Sequence, residues 1–159
     1  MKKKILYVDM DGVLVEFPES VDDVHPSILH ACRSWCEETG NHHSDFEGIF
    51  STLHPKDGAK EAISRLMNRY EVYLLSTAPW DNQSSFTDKR TWIEKHLPML
   101  PRKRLLLTYR KDLQRGRFLI DDRPKHGAEA FGRFPGQEWI HFGSAEFPSW
   151  SAILQYLEC

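Results

Sequence analysis

A basic excess is the first thing this chain lacks: 21 Lys and Arg face 23 Asp and Glu, for a formal net charge of -2. That balance carries none of the footprint of a protein that grips a nucleic-acid polymer or an anionic membrane. Long hydrophobic runs are missing too, since no stretch approaches the roughly 20 apolar residues of a membrane span. Met1-Lys2-Lys3-Lys4 has the charge of a signal-peptide start, but the apolar run behind it stops at Asp9. Secretion needs a hydrophobic segment of roughly 7–15 residues, so a cytoplasmic protein is expected. Cysteine is limited to Cys32, Cys36 and Cys159. The first two lie four apart on an expected helix without the further Cys or His partners of a zinc site, and read as buried or idle thiols. His42-His43 and His54 have no carboxylate at a suitable spacing, so no second metal site is expected. Internal repeats and low-complexity segments are absent.

What remains is an ordinary soluble composition, 40% hydrophobic and 28% charged, at the length of one domain with room for a small insert. Lys4-Ile5-Leu6-Tyr7-Val8 is a short β-rich run that ends on acids, as a buried parallel strand would. Residues 18–54 form a separate neighbourhood rich in His, Asp, Glu, Trp and Phe, where Ile28, Leu29, Cys32, Trp35 and Cys36 recur at helical spacing. Ala59, Ala62, Ile63, Leu66 and Met67 predict an amphipathic helix with Asp57 placed to cap it. Glu71 to Thr77 reads as a strand, Phe86 to Leu97 as a helix, and Arg104–Thr108, Arg117–Ile120 and Trp139–Phe142 as further strands before a final helix over Trp150–Leu157. Strands alternating with helices through short loops predict a three-layer α/β/α sandwich with a mostly parallel sheet. Arg102, Lys103, Arg104, Arg110, Lys111, Arg115 and Arg117 cluster and are expected to form a solvated rim.

In open parallel sheets ligands bind beyond the carboxyl ends of the strands. Three expected strands end in reactive groups: Asp9 and Asp11, Ser76 and Thr77, Asp121 and Asp122. Neighbouring strands lie about 4.8 Å apart, so these ends can converge on one ion or phosphate. Carboxylates gathered in that way repel unless a cation intervenes, and magnesium suits an all-oxygen set that keeps positions open for water and phosphate. Lys89, expected in the first turn of the helix after the Thr77 strand, supplies positive charge for phosphate oxygens and for a nucleophilic carboxylate.

Asp9-Met10-Asp11-Gly12-Val13 resembles the first motif of the haloacid dehalogenase (HAD) superfamily of phosphatases, Thr77 its second, Lys89 its third and Asp121-Asp122 its acidic fourth. More narrowly, the chain resembles the 5'(3')-deoxyribonucleotidases. That likeness rests on Asp9 to Leu14 followed by Phe17, on Gly48-Ile49-Phe50 before Leu53 and Pro55, on Ser76 to Trp80, on Asp88-Lys89 with Trp92 and Glu94-Lys95, and on Leu119 to Pro124. The resemblance implies a Rossmann-like core over 1–17 and 55–159, with a small helical cap over 18–54 inserted after the first strand. It implies a hydrolase of nucleoside monophosphates, preferentially deoxy ones, that uses Mg2+. Carried over by position, Asp9 would attack phosphorus to give an aspartyl phosphate, and Asp11 would act as acid and then base. Magnesium would be held by Asp9, the main-chain carbonyl of Asp11 and the Asp121-Asp122 pair, Asp121 being slightly favoured. Gly12, Thr77, Ala78 and Lys89 would surround the phosphate, and Phe17 and Phe50 would wall the base pocket.

Departures are also visible. The insert is short for this cap, Ala78 stands where some relatives carry serine, and Lys111 falls near a family lysine at the phosphate end. Trp35 is expected to pack within the insert, and Trp80 is placed to pack beneath it without touching a ligand. The same motifs also fit a phosphatase of another small phosphate, such as a sugar phosphate, or a non-catalytic phosphate or nucleotide binder; the nucleophile and acid/base pair speaks against the binder.

Overall fold

The computed structural model describes residues 2–159, so Met1, the first residue of the expected core segment, lies outside the described residues. Five apolar segments become the strands β1 (Lys4–Val8), β2 (Tyr70–Ser76), β3 (Leu105–Leu107), β4 (Phe118–Asp121) and β5 (Glu138–His141). They form one sheet in the order β3-β2-β1-β4-β5. Every pairing is parallel, with Val8 beside Leu74 on one side and Ile120 on the other. The β1, β2 and β4 ends therefore lie side by side, and β1 holds the centre.

Alternation along the strands separates two cores. Leu6, Val8, Leu74 and Ile120 enter the large hydrophobic cluster, whereas Tyr7, Leu75 and Leu119 face a smaller one with Ala128 and Phe131. The large cluster is covered by α2 (Ala59–Arg69), α3 (Ser85–His96) and α5 (Trp150–Tyr156), and the small face by α4 (Ala128–Phe131). In α2, Ala59, Ala62, Ile63 and Leu66 are all buried, the stripe expected from their spacing. Full burial of each leucine or isoleucine is worth about 1.5–3 kcal/mol. Asp57 does not cap this helix. The N-cap is Gly58 at φ 75°, with no side-chain cap bond, because the chain turns into the helix one residue later than the composition suggests.

The segment after β1 folds back on itself: Leu14 and Val15 donate to the Met10 carbonyl, and Gly12 donates to that of Val15. Residues 18–54 carry α1 (Pro26–Thr39) and three 3-10 turns, Val21–Asp23, His43–Asp45 and Ile49–Thr52. Val24, Cys32, Ile49, Phe50 and Leu53 join the large cluster, so this insert shares the core rather than building its own. Polar ties lock it over the strand ends. Asn82 Nδ2 donates to the carbonyls of Ser44 and Phe46, both at 2.9 Å, and Trp92 Nε1 donates to Leu53 O at 2.9 Å. Cys32 is buried, and burial raises its thiol to about 11, in keeping with an idle thiol. Trp35 packs edge-on against Phe46 at 5.8 Å. Trp80 is 81% exposed and lies beneath nothing, because the turn after β2 swings it outward. No described helix is long and apolar enough to cross a membrane.

Candidate active site

Parallel pairing brings the carboxyl ends of β1 and β4 together, and their acids meet there. Asp9 follows the last residue of β1, and its N–H donates to Ile120 O at 2.9 Å, which fixes it beside β4. Carboxylate oxygens of Asp9, Asp121 and Asp122 all lie within 4.8 Å of one another. Asp9 and Asp121 are buried and Asp122 is half-buried. Burial, then the Asp9 charge, pushes the Asp121 carboxyl up to about 7 against the opposing pull of Lys111. The same two causes raise Asp122.

Lys111 is the cation at this end. Its Nζ lies 2.5 Å from Asp121 Oδ2 and 3.1 Å from Asp9 Oδ1. Burial pulls its pKa down, but the carboxylates of Asp9 and Asp121 outweigh that and leave it raised. The contact with Asp9 has the distance of an ion pair without the angle of a hydrogen bond, so Asp9 Oδ1 stays buried with no hydrogen-bond partner. A buried carboxylate oxygen that holds an ion pair but no hydrogen bond, in a cluster of acids that repel one another, is a good cation ligand. The residues present thus fit an oxygen-preferring divalent ion. Lys111 itself is fixed by local structure. It opens the 3-10 turn Lys111–Leu113, its N–H donates to His126 O at 2.8 Å, and Arg110 grips the next residue, Asp112, with two bonds of 2.9 and 2.6 Å.

Lys89 is the fifth residue of α3, one position further in than a start at Phe86 gives, and only 1% exposed. Its Nζ donates to Asp11 Oδ2 at 2.6 Å, lies 3.3 Å from Ser76 Oγ, and sits 4.3 Å from the centre of the Phe50 ring. Lys89 therefore serves Asp11, and Lys111 serves Asp9. Lys111 is buried rather than part of a solvated rim, at the end where the family lysine is expected, while Arg104, Arg110 and Arg117 pair on the surface with Glu71, Asp112 and Glu138. Burial raises the Asp11 carboxyl; Lys89 acts in the opposite sense and the Asp9 charge adds to the rise. Asp11 Oδ1 is buried and unpartnered like its counterpart on Asp9.

Gly12 has φ 76°, and a β-carbon built on it would lie 2.1 Å from Asp122 Oδ2. The space freed by this glycine is filled by the Asp122 carboxylate. Thr77 follows β2 directly and lines the cavity with Pro79, while Ala78 is buried between them and its carbonyl accepts a hydrogen bond from the Tyr109 hydroxyl.

These groups surround a cavity of about 220 Å³. Asp9, Asp11, Lys111, Asp121 and Asp122 form its polar floor, and Phe17 and Phe50, 5.5 Å apart, stand on its wall. His42, Arg123, Lys125 and His126 line it as well, and the sequence reading singled out none of them for this place. Burial lowers the pKa of both histidines, helped by His43 and Lys111 respectively.

Comparison with known proteins gives the family and the fold. Residues 3–147 match the family described as 5' nucleotidase, deoxy (pyrimidine), cytosolic type C protein (NT5C). A protein of Vibrio phage KVP40, provisionally named a 5'(3')-deoxyribonucleotidase, is 43% identical over 155 residues, covering 98% of this chain and 85% of that protein. The 5'(3')-deoxyribonucleotidase of Bacillus subtilis strain 168 is 28% identical over 142 residues, or 81% of each chain. Among solved structures, a provisionally assigned HAD hydrolase of Bacillus subtilis, YfnB, bound to magnesium, superposes over 100% of both chains with a TM-score of 0.58 at 12% identity. A haloacid dehalogenase-like hydrolase of Burkholderia xenovorans gives a TM-score of 0.51 at 13% identity, over 93% of this chain and 85% of its own. The likeness to these two lies in the fold.

Proposed function

The chain belongs to the 5' nucleotidase, deoxy (pyrimidine), cytosolic type C family, a HAD-type group of phosphomonoester hydrolases, and from that premise we propose that it hydrolyses nucleoside monophosphates, preferentially deoxy ones, with Asp9 as nucleophile and magnesium as cofactor. The observation that carries this reading is the acidic cluster of Asp9, Asp121 and Asp122 at the floor of a cavity walled by Phe17 and Phe50.

Magnesium would be held by Asp9, the main-chain carbonyl of Asp11 and Asp122. Asp122 is preferred in this reading to Asp121, the acid slightly favoured from sequence, because its oxygens are freer. Asp121 has Oδ2 occupied by Lys111 and Oδ1 by the Arg123 N–H at 3.0 Å, whereas the Asp122 carboxylate has a looser ion pair, with Arg123 Nε at 3.5 Å. Bound there, the ion would neutralise phosphate oxygens and ease the approach of one anion to another.

Asp9 attacks phosphorus and carries the phosphoryl group as an aspartyl phosphate. Asp11, whose hold on a proton is strengthened by burial, gives a proton to the leaving oxygen and then takes one from the water that releases phosphate. Lys111, with Thr77 and the backbone N–H of Ala78, stabilises the equatorial oxygens, where positioning and charge supply most of the rate. Lys89 keeps the Asp11 carboxylate aimed at the leaving group. Residues 18–54 act as the cap, bringing Phe17 and Phe50 to the sugar and base. Stacking of a base on such rings is worth about 1–3 kcal/mol.

The test is a phosphate-release screen with and without magnesium across ribo- and deoxyribonucleoside monophosphates, sugar phosphates and p-nitrophenyl phosphate. Magnesium-dependent preference for deoxynucleotides is expected. Equal rates on sugar phosphates would overturn the nucleotide assignment, and no release from any substrate would favour a binder.

A further inference from the structure

Once the chain leaves β4 at Asp121, the carbonyls of Asp121 and Asp122 fix how the two peptide planes, and therefore the two carboxylates, are turned. Both carbonyls are gripped from the next strand. Trp139 Nε1 donates to Asp121 O at 3.2 Å, and His141 Nε2 contacts Asp122 O at 3.0 Å. A carbonyl only accepts, so this contact requires the proton of His141 on Nε2. The two side chains are two residues apart on β5 and so share a face of the sheet, where their rings stack 4.7 Å apart at 22°.

We propose that Trp139 and His141 form a stacked clamp that positions the Asp121-Asp122 pair for metal binding. His141 is the more demanding half. Asp121 O also accepts the Phe142 N–H at 3.0 Å, whereas His141 is the sole donor to Asp122 O among the described residues. At its other end the Asp122 carboxylate lies in the space that Gly12 leaves open, where a β-carbon would come within 2.1 Å of Oδ2. A residue anchored at its carbonyl in this way has fewer directions in which to present its carboxylate. Trp139 is braced in turn against the smaller core, and the close backbone approach at Gly132, where a β-carbon would lie 3.0 Å from Trp139 N, holds α4 against it. Neither side chain lines the catalytic cavity, so both act through the acids they hold. Partners of this outer kind typically govern metal affinity by about 10–100-fold.

The inference rests on the reading of Asp122 as a metal ligand, and the experiment separates the two. Mn2+ binding is measured by electron paramagnetic resonance on the full chain and on His141→Ala, His141→Gln, Trp139→Phe and Asp122→Asn, alongside thermal unfolding without metal. Expected is an affinity loss of about 10–100-fold in His141→Ala, partial recovery in His141→Gln, which restores an N–H donor, and a smaller loss in Trp139→Phe, which keeps the stack. Metal-free unfolding of His141→Gln and Trp139→Phe should stay near wild type. Wild-type affinity in His141→Ala, with binding lost in Asp122→Asn, overturns the clamp alone. Equal losses in His141→Ala and His141→Gln also overturn it, since the N–H is then not the agent. Wild-type affinity in Asp122→Asn overturns the ligand assignment, and the clamp with it.

Discussion

The Lys89 ammonium and the Asp11 carboxylate lie 2.6 Å apart, with the lysine almost fully enclosed between that acid, Ser76 and the Phe50 ring. Asp11 is thereby set between two opposing influences: burial raises its pKa, and Lys89 restrains the rise. Replacing Lys89 with Met keeps the apolar stem and removes the restraint. The Asp11 pKa should climb further, less carboxylate should be available at neutral pH to activate water, and the pH profile of kcat should move to the alkaline side. Stability should fall by about 1–3 kcal/mol as the acid loses its partner. A pH-rate series with a parallel denaturant titration measures both, and an unmoved profile would show that Lys89 does not tune Asp11.

Gly12→Ala should act through Asp122. The new β-carbon would lie 2.1 Å from Asp122 Oδ2, at a backbone φ of 76° that side chains disfavour. Loss of magnesium-dependent activity, together with a stability cost of about 1 kcal/mol or more, is expected. Metal titration of the variant distinguishes this from a purely steric block of substrate, which would raise KM and leave metal affinity unchanged.

The buried acids predict how metal and pH act together. Because Asp121 is raised from 3.8 to about 7, the folded protein holds this proton more tightly than the unfolded chain does. Its contribution to metal-free stability is fully present below about pH 3.8 and is lost as pH rises to about 7. Asp11 and Asp122 shift in the same direction. A bound cation favours the ionised forms, so magnesium should raise the Tm more at about pH 8 than at about pH 5, where protons must first be displaced. An equal Tm rise at both values would contradict a site built on these acids.

Phe17 lines the cavity and meets Phe50 at 5.5 Å and His43 at 5.7 Å. Phe17→Ala should lower kcat/KM for deoxynucleoside monophosphates about 5- to 150-fold, the range that stacking supplies, and affect p-nitrophenyl phosphate far less. Matching losses on both substrates would mean that Phe17 only packs.

Much of this molecule can be read from its sequence, for identifiable reasons. Strand ends such as Val8-Asp9 and Ile120-Asp121 are visible because burial demands an apolar run and the site demands acids directly after it. The stripe of α2 is equally plain. By contrast α4 has four residues, too few for a helical period, and Gly58 rather than Asp57 begins α2 because turn geometry decided the start. Lys111 sits between Arg110 and Asp112 and reads as surface; only the fold reveals that its neighbours pair outside while it turns in. The signal for it in the sequence is its place near a family lysine at the phosphate end. Trp139 and His141 act on backbone carbonyls across a strand pairing, so nothing in their own neighbourhood discloses them.

The central claim is that Asp9 carries out nucleophilic attack, and phosphate release by Asp9→Asn tests it most directly. With a deoxynucleoside monophosphate and saturating magnesium, the variant should fold like the wild type while its kcat falls by at least about 10⁴-fold, the scale on which enzymes lose rate with their nucleophile. Turnover at the wild-type rate by the folded variant would contradict the account.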